Sequence, residues 1–464
     1  MTPPGDAYLD RIATAVADGE QFAGLYATSD RQMVRTVWIA ADGTPRPESI
    51  AVVDGSVPSI VGLVPAAGWD EREAHDSYRI EFDGHQPLRP LIDHDAPLER
   101  WTVPIRGQGT YQVAVGPIHA GVIESGHFRF HVVGDRILHV DAQLFYKHRG
   151  LEKAAEGSSL PDGMAFVSRA CAGCSVANAL AYAHACEQVS GQRPTDELRR
   201  VRTILAELER VWNHLNDIAA VCAGVGLAAG NTTFAALTER ARRLNATLTE
   251  HRFLFGAVHF GHSPLEWTSD TVQATATELA ALCSAATRGW RELAFNTSFQ
   301  DRLLDIGVLD PADASRLGVV GPAARAAGLA DDVRTHADRL CYGGFLPVSP
   351  DRATGDVRSR FEQRGLELWQ SFTILDQLLD RPVLPSRATG ETDPQPIAVG
   401  IVESPRGRTT CAVEAVDGRV SRLHLRTGSY ANWPAVTAAA AGNLLPDFPL
   451  INKSFELCYA CVDR

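Results

Sequence analysis

Residues 169–188 read RACAGCSVANALAYAHACEQ, and residues 454–464 read SFELCYACVDR. Each stretch carries two cysteines separated by two residues: Cys171 and Cys174 in the first, Cys458 and Cys461 in the second. Chain ends fray, and reactive thiols in a frayed tail are a liability. The second pair therefore implies that something holds the tail. The segment SVANALAYAHACEQ has helical character, which places Cys174 near a helix N-terminus, where the partial positive charge favours thiolate. Asn178 falls one turn beyond Cys174 on the same face, so a hydrogen bond to that sulfur is expected. A lone CxxC is a dithiol redox pair or half of a zinc site, whereas two pairs favour a four-thiolate metal centre. Zinc ribbons space their pairs about 15–20 residues apart, and here most of the chain lies between them. Zinc, an iron–sulfur cluster and a mixed soft-metal centre all remain compatible with four thiolates.

The chain has 464 residues, 45% hydrophobic and 22% charged, enough for two or three domains with a large core. A net charge of −12 argues against nucleic acid or an anionic membrane as a general partner. The opening MTPPGDAYLDRIATAVADGE lacks an apolar core segment, so no signal peptide is expected. The longest apolar run, IAAVCAGVGLAAG at 218–230, is shorter than the roughly 20 residues a bilayer needs. It reads as a buried helix end and loop. The remaining cysteines, Cys186, Cys222, Cys283, Cys341 and Cys411, stand singly among apolar neighbours and read as core residues.

The fold class is α+β: a small α/β unit over 1–100, then a large, mainly helical unit over 101–464 with small antiparallel sheets. In the first unit VRTVWIAA and YRIEF are strand-like, and the proline-punctuated HQPLRPLIDHDAPLERW (85–101) reads as a linker. Residues 111–146 alternate and contain a Gly-Asp turn, predicting an antiparallel sheet. The clearest helix spans DELRRVRTILAELERVWNHLNDIAAV, with Val201, Leu205, Leu208, Trp212 and Leu215 on one side. Glu207, Arg210, His214 and Asp217 form a polar stripe, expected from spacing alone to be a solvated face. GDVRSRFEQRGLELWQSFTILDQLLDRP is a second long helix, and strands return after about residue 390.

Context decides among the metal readings. GPIHAGVIESGHFRF, YKHRGLEKAAEG, RACAGC, ELERVWNHL, GDVRSR, VESPRG and the terminal CYACVDR occur in that order. Together they resemble the large subunit of nickel–iron hydrogenases, in particular the energy-converting, formate hydrogenlyase-like group related to the 49-kDa subunit of respiratory complex I. SIVGLVPAAGWDEREAHDSYRIEFDGHQPLRPLID (59–93) is similar to the complex I 30-kDa subunit, which that group carries as a fused N-terminal domain.

The resemblance implies a catalytic subunit that interconverts H2 with protons and electrons by heterolytic cleavage. Cys171, Cys174, Cys458 and Cys461 would hold nickel, with Cys174 and Cys461 bridging to an iron carrying cyanide and carbonyl ligands. Arg406 of ESPRG would be a fixed cation over the open metal face, and Glu124 a proton relay. A cysteine thiolate, Cys461 among them, or Arg406 would act as base. Read alone, Arg406 is a turn residue after Pro405 and Glu124 a strand-end charge. The resemblance also implies an iron–sulfur small subunit as electron partner, further ferredoxin-like and membrane subunits, and a cytoplasmic location on the inner face of the membrane. Complex I subunits lack the four cysteines, and their quinone-facing tyrosine would fall at about Ala172. A nickel-free, complex I-like scaffold is the alternative, and zinc in a degenerate relative a third. Ala172 stands where the hydrogenases carry glycine, Asn178 where they carry histidine, and Glu456-Leu457 replace Asp-Pro. Precursors of the family are often trimmed after the basic residue following the last cysteine, which corresponds to Arg464.

Overall fold

The computed structural model describes residues 4–119, 124–390 and 392–464. Part of the GPIHAGVIESG stretch, residues 120–123, lies outside them.

An N-terminal helix, Pro4–Ala17, precedes three antiparallel strands in sequential order, Gln21–Ala27, Met33–Ile39 and Pro45–Ala51. Helix Gly68–Tyr78 lies near the first strand, and a short parallel pair, Ser56–Pro58 with Glu81–Asp83, completes the unit. These elements close on their own core of Tyr8, Ile12, Trp38, Ile50, Val57, Ile80 and Phe82. A second small cluster joins Ala23, Tyr26 and Val37 to Val399 and Ala412 of the C-terminal sheet. Of the segment 85–101 read as a linker, residues 98–101 form a short helix, and Leu91 and Trp101 are buried.

The alternating segment at 111–146 forms an antiparallel sheet of Thr110–Val115, His127–Val133 and Arg136–Gln143, turning at Gly134-Asp135. Phe128, Phe130, Val132, Ile137 and Val140 point into the main core, as a half-buried strand pattern requires.

The rest is mainly helical. The longest helix is Asp196–Gly224, whose N-cap Thr195 accepts from the amide of Leu198. It is joined by Ser175–Val189, Ala228–Thr249, Ser269–Ala294 and Val357–Leu378. The run at 218–230 behaves as expected: the helix stops at Gly224, and the next begins at Ala228 after Gly226 turns the chain at φ +77°. A three-stranded antiparallel sheet, Ile397–Ser404, Gly407–Val416 and Arg419–Arg426, packs on helix Ser175–Val189. That packing is close because Gly400 has no side chain: a Cβ there would sit 1.9 Å from the carbonyl oxygen of Ala181.

The expectation of a solvated stripe on Asp196–Gly224 is overturned. Glu207, Arg210, His214 and Asp217 are all 0% exposed. Helical spacing reports which residues share a face, but not whether that face meets water or counter-charges. Here it meets counter-charges. Glu207 accepts from Tyr342 Oη at 2.5 Å and Ser371 Oγ at 2.6 Å, and Arg210 donates to the carbonyls of Glu403 and Ser404. His214 lies 3.1 Å from Glu367, which receives Arg325 at 2.8 Å. Buried charges persist only when paired and hydrogen-bonded in this way. Cys186, Cys222 and Cys411 are core residues as expected, whereas Cys283 and Cys341 are only half-buried, on helix and loop edges.

Candidate metal centre

Both cysteine pairs stand at helix starts. Cys174 is the N-cap of helix Ser175–Val189, and Cys458 that of the short Tyr459–Asp463. The first pair is fixed by Glu209 on the neighbouring long helix. Its carboxylate accepts from the amides of Val176 at 2.6 Å and Ala177 at 3.1 Å and from Ser175 Oγ at 3.3 Å, satisfying orphan donors of the first turn. Burial pushes Glu209 up to about 8, against the pull of those donors.

The second pair is fixed by the last two residues of the chain. Asp463 accepts from the amides of Phe145 at 2.8 Å and Lys147 at 2.9 Å, and its carbonyl meets His148 Nδ1 at 2.7 Å. Arg464 is 1% exposed: its guanidinium pairs with Glu73 and lies 4.7 Å over the Tyr430 ring. Its carbonyl accepts from the amides of Arg149 and Gly150. The tail is therefore clasped rather than frayed.

One sulfur from each of Cys171, Cys174, Cys458 and Cys461 lies within 4.8 Å of every other. Cys174 and Cys461 are 1% and 0% exposed, while Cys171 and Cys458 line a cavity of about 580 Å³ together with Glu124, Phe128, Phe448 and Leu457. Thiol hydrogen bonds from the other three cysteines and the Arg406 cation hold Cys458 well below the ordinary thiol range. The donor set fits a soft metal: two sulfurs on opposite sides of one ion, each about 2.3 Å away, span about 4.6 Å.

Arg406 occupies the hairpin turn between Ile397–Ser404 and Gly407–Val416. Asn432 clamps this turn by donating to the carbonyls of Arg406 and Val320. Gly407, at φ +116°, and Gly321 approach so closely that a Cβ on Gly321 would lie 2.2 Å from Gly407 Cα. The guanidinium is held bidentately by Asp217, at 2.6 and 2.9 Å, and contacts Asn213 Oδ1 at 3.2 Å. Burial acts against its charge, but Asp217 and the nearby sulfurs of Cys458 and Cys174 keep it firmly protonated. Burial would likewise raise Asp217, yet Arg406, His214 and Arg364 outweigh it and hold the carboxyl at about 2.

Glu124 stands at the cavity wall and accepts from the backbone amide of Ala460, between the two tail cysteines; burial raises its pKa. Asn178 is buried but faces the other pair: its amide nitrogen lies 4.0 Å from Cys461 Sγ, and no contact with Cys174 Sγ is found. The expected bond to Cys174 is corrected because the tail pair, invisible to local spacing, closes over that helix face. Asn178 Oδ1 has no partner among the described residues.

Sequence reasoning missed Glu209 and Asn213 and misread Asp217. They lie at i, i+4 and i+8 on one face of Asp196–Gly224, and that spacing was the available signal. Asn213 joins the two halves of the site, donating to the Gly173 carbonyl at 2.8 Å while receiving Arg406.

Comparison with known proteins agrees with this geometry. The family model "Respiratory-chain NADH dehydrogenase, 49 Kd subunit" matches residues 228–388 and 384–464, and the corresponding 30 Kd model matches 11–109. Formate hydrogenlyase subunit 5 of Escherichia coli is 31% identical over 438 residues, covering 88% of this chain and 77% of the relative. Carbon monoxide-induced hydrogenase of Rhodospirillum rubrum is 30% identical over 364 residues, covering 76% and 99%. An NADH-quinone oxidoreductase subunit of Phocaeicola vulgatus is 25% identical over 448 residues, covering 88% and 83%. Among solved structures, a chain of the membrane-bound sulfane sulfur reductase, an archaeal respiratory membrane complex, matches with TM-score 0.70 and 27% identity. It is covered completely and spans 78% of this chain. The chain thus belongs to the large-subunit family of energy-converting nickel–iron hydrogenases, akin to the complex I 49-kDa subunit and fused here to a 30-kDa-subunit-like unit.

Proposed function

We propose that this chain is the catalytic large subunit of a formate hydrogenlyase-like, energy-converting hydrogenase that interconverts H2 with protons and electrons. The observation that carries the reading is the meeting of four thiols from distant parts of the chain beside a buried arginine. In this reading residues 1–100 form the 30-kDa-like unit and 101–464 the catalytic one.

Cys171, Cys174, Cys458 and Cys461, of which Cys174 and Cys461 lie deeper, would hold a nickel–iron group whose iron would carry cyanide and carbonyl. When bound, that group supplies the centre at which H2 is split heterolytically. The chain's own residues do the rest. Asp217 and Asn213 fix the Arg406 guanidinium toward the thiolates, so a preorganised cation needs no reorganisation during the reaction. A cysteine thiolate, with Cys461 the candidate, accepts the proton. Glu124, raised toward the working range and beside the tail pair at the cavity, carries it onward. Asn178 donates toward Cys461 but takes up no proton, so it tunes the sulfur without titrating.

Electrons require a partner. Among the described residues the only other cluster of potential ligands is Glu73, Glu152 and His424, and arginines already occupy it. An iron–sulfur small subunit, with ferredoxin-like and membrane subunits, would complete the complex. No helix of the described residues is long and apolar enough to cross a membrane, so attachment to the inner face of the membrane would run through those partners.

Cys461→Ser is expected to abolish H2-dependent dye reduction while the complex still assembles; full activity in that variant would refute the reading. A nickel-free, complex I-like role is the second reading, favoured by Asn178 and the 25%-identical NADH-quinone relative. It predicts assembly without nickel.

A further inference from the structure

A second cavity, of about 170 Å³, lies away from the cysteines, over the polar face of the sheet Thr110–Gln143. Its walls include Trp69 and Arg72 of helix Gly68–Tyr78, Arg89 and Trp101 of the 85–101 segment, and Arg129 and His139 of the sheet. Asp141 is the single acid among its lining residues, against three arginines. Arg129 stands directly across from Asp141 in the strand pairing, the position where an opposite-charge pair normally forms. Asp141 is instead taken by His131 Nε2 at 2.7 Å, His139 Nε2 at 3.1 Å and the amide of Val103 at 3.1 Å.

Arg129 consequently has no carboxylate partner among the described residues, and its Nε is a buried donor without an acceptor. Arg72 and Arg89 likewise form no ion pair with a carboxylate: Arg72 donates to the carbonyls of Arg89 and Pro90, and Arg89 to that of Thr102. Most buried arginines elsewhere are paired with acids, Arg360 being an exception that donates to Ser454 Oγ and to the carbonyls of Gly355 and Gly307. Arg202, Arg210, Arg325, Arg364, Arg406, Arg422, Arg426 and Arg464 each meet an aspartate or glutamate. Three guanidiniums converging from separate elements, one holding an orphaned donor, are what a ligand with several anionic oxygens would satisfy.

We propose that this cavity binds a tetrahedral phosphate oxyanion, either free phosphate or the headgroup of an anionic lipid. A planar carboxylate offers two oxygens, too few for donors arriving from three sides, whereas a phosphate offers one to each. Trp69 and Trp101 give the cavity apolar walls for whatever the phosphate is attached to. Burial draws the Arg72 pKa down to about 10 even with Asp76 nearby, and an entering anion relieves that cost. The site shares no residue with the metal centre, so it stands or falls independently of the hydrogenase reading.

The test is titration calorimetry of the full chain with inorganic phosphate, in buffer free of phosphate and sulfate. A parallel arm is co-sedimentation with phosphatidylcholine vesicles with and without phosphatidylglycerol. Arg129→Gln should weaken binding at least about tenfold, the factor expected for one lost charge-assisted bond, while the exposed Arg31→Gln binds like the natural chain. Arg129-dependent phosphate binding supports the proposal with free phosphate as ligand. Arg129-dependent vesicle binding without phosphate binding supports it with a lipid headgroup. No binding in either arm, or binding that Arg129→Gln leaves intact, overturns it. Should Arg129→Gln fail to fold, Arg89→Gln, at another of the three arginines lining the cavity, carries the same comparison.

Discussion

Cys171 and Cys174 sit at the mouth of a 15-residue helix whose first amides are capped by Glu209, whereas Cys458 and Cys461 sit on a five-residue helix near the end of the chain. The first pair inherits its position from backbone structure that would exist without any metal. The second depends on a handful of side-chain clasps at Asp463 and Arg464. One half of the site is a rigid template, and the other is a strap closed over it. Asp217, with Arg406 and Arg364 on one carboxylate, is where the two halves and the C-terminal sheet are tied together.

This contrast can be broken at its centre first. Asp217→Asn leaves two buried guanidiniums without their counter-charge and should cost about 3–5 kcal/mol of stability, read by denaturant unfolding. Its pH signature has a definite sign. Because the Asp217 pKa is held down from 3.8 to about 2, the stability it contributes is present above pH 3.8 and is lost as pH falls through 2. The Asn variant should flatten that acid limb; an unchanged limb would rule out Asp217 as the tie. Next in size, Glu209→Ala unpairs the amides of Val176 and Ala177, at about 1–3 kcal/mol for each buried donor. That loss loosens the template, so it should lower metal content even where the tail is intact.

Asp463→Ala acts on the strap alone. It frees the amides of Phe145 and Lys147 in a partly buried site, and a loss of about 1–2 kcal/mol follows from the lower end of the same range. The difference is in where the change appears: hydrogen exchange should rise over 145–150 and 458–464 and stay unchanged over 175–189. The smallest and sharpest effect is metal removal by chelation. Exchange over 458–464 should then rise more than over 175–189, because the template keeps its helix and its Glu209 cap whereas the strap keeps only the Asp463 and Arg464 clasps. Equal rises in both segments would mean that neither half is preformed.

Much of this architecture was legible in residue order. The alternation of Phe128, Phe130 and Val132 and the Gly134-Asp135 turn foretold the middle sheet, and the paired cysteines foretold a held tail. The polar stripe at Glu207, Arg210, His214 and Asp217 was misread because periodicity is local, while its partners Arg334, Glu367, Arg364 and Arg406 come from residues 334–406. The same limit applies to Asn178: its helix face was correct, but the sulfur it meets arrives from 283 residues away. The unpaired Arg129 was invisible for a related reason, since only strand register sets it opposite Asp141 and shows the pair unmade.

The central claim is that four sulfurs from remote segments hold one nickel–iron centre. Elemental analysis of the purified complex, combined with infrared spectroscopy, tests it most directly. One nickel per chain is expected, with iron in excess because the partner subunits carry iron–sulfur clusters, and with cyanide and carbonyl bands that vanish in Cys461→Ser. Zinc alone, or a folded complex with no metal at these thiols, would contradict it.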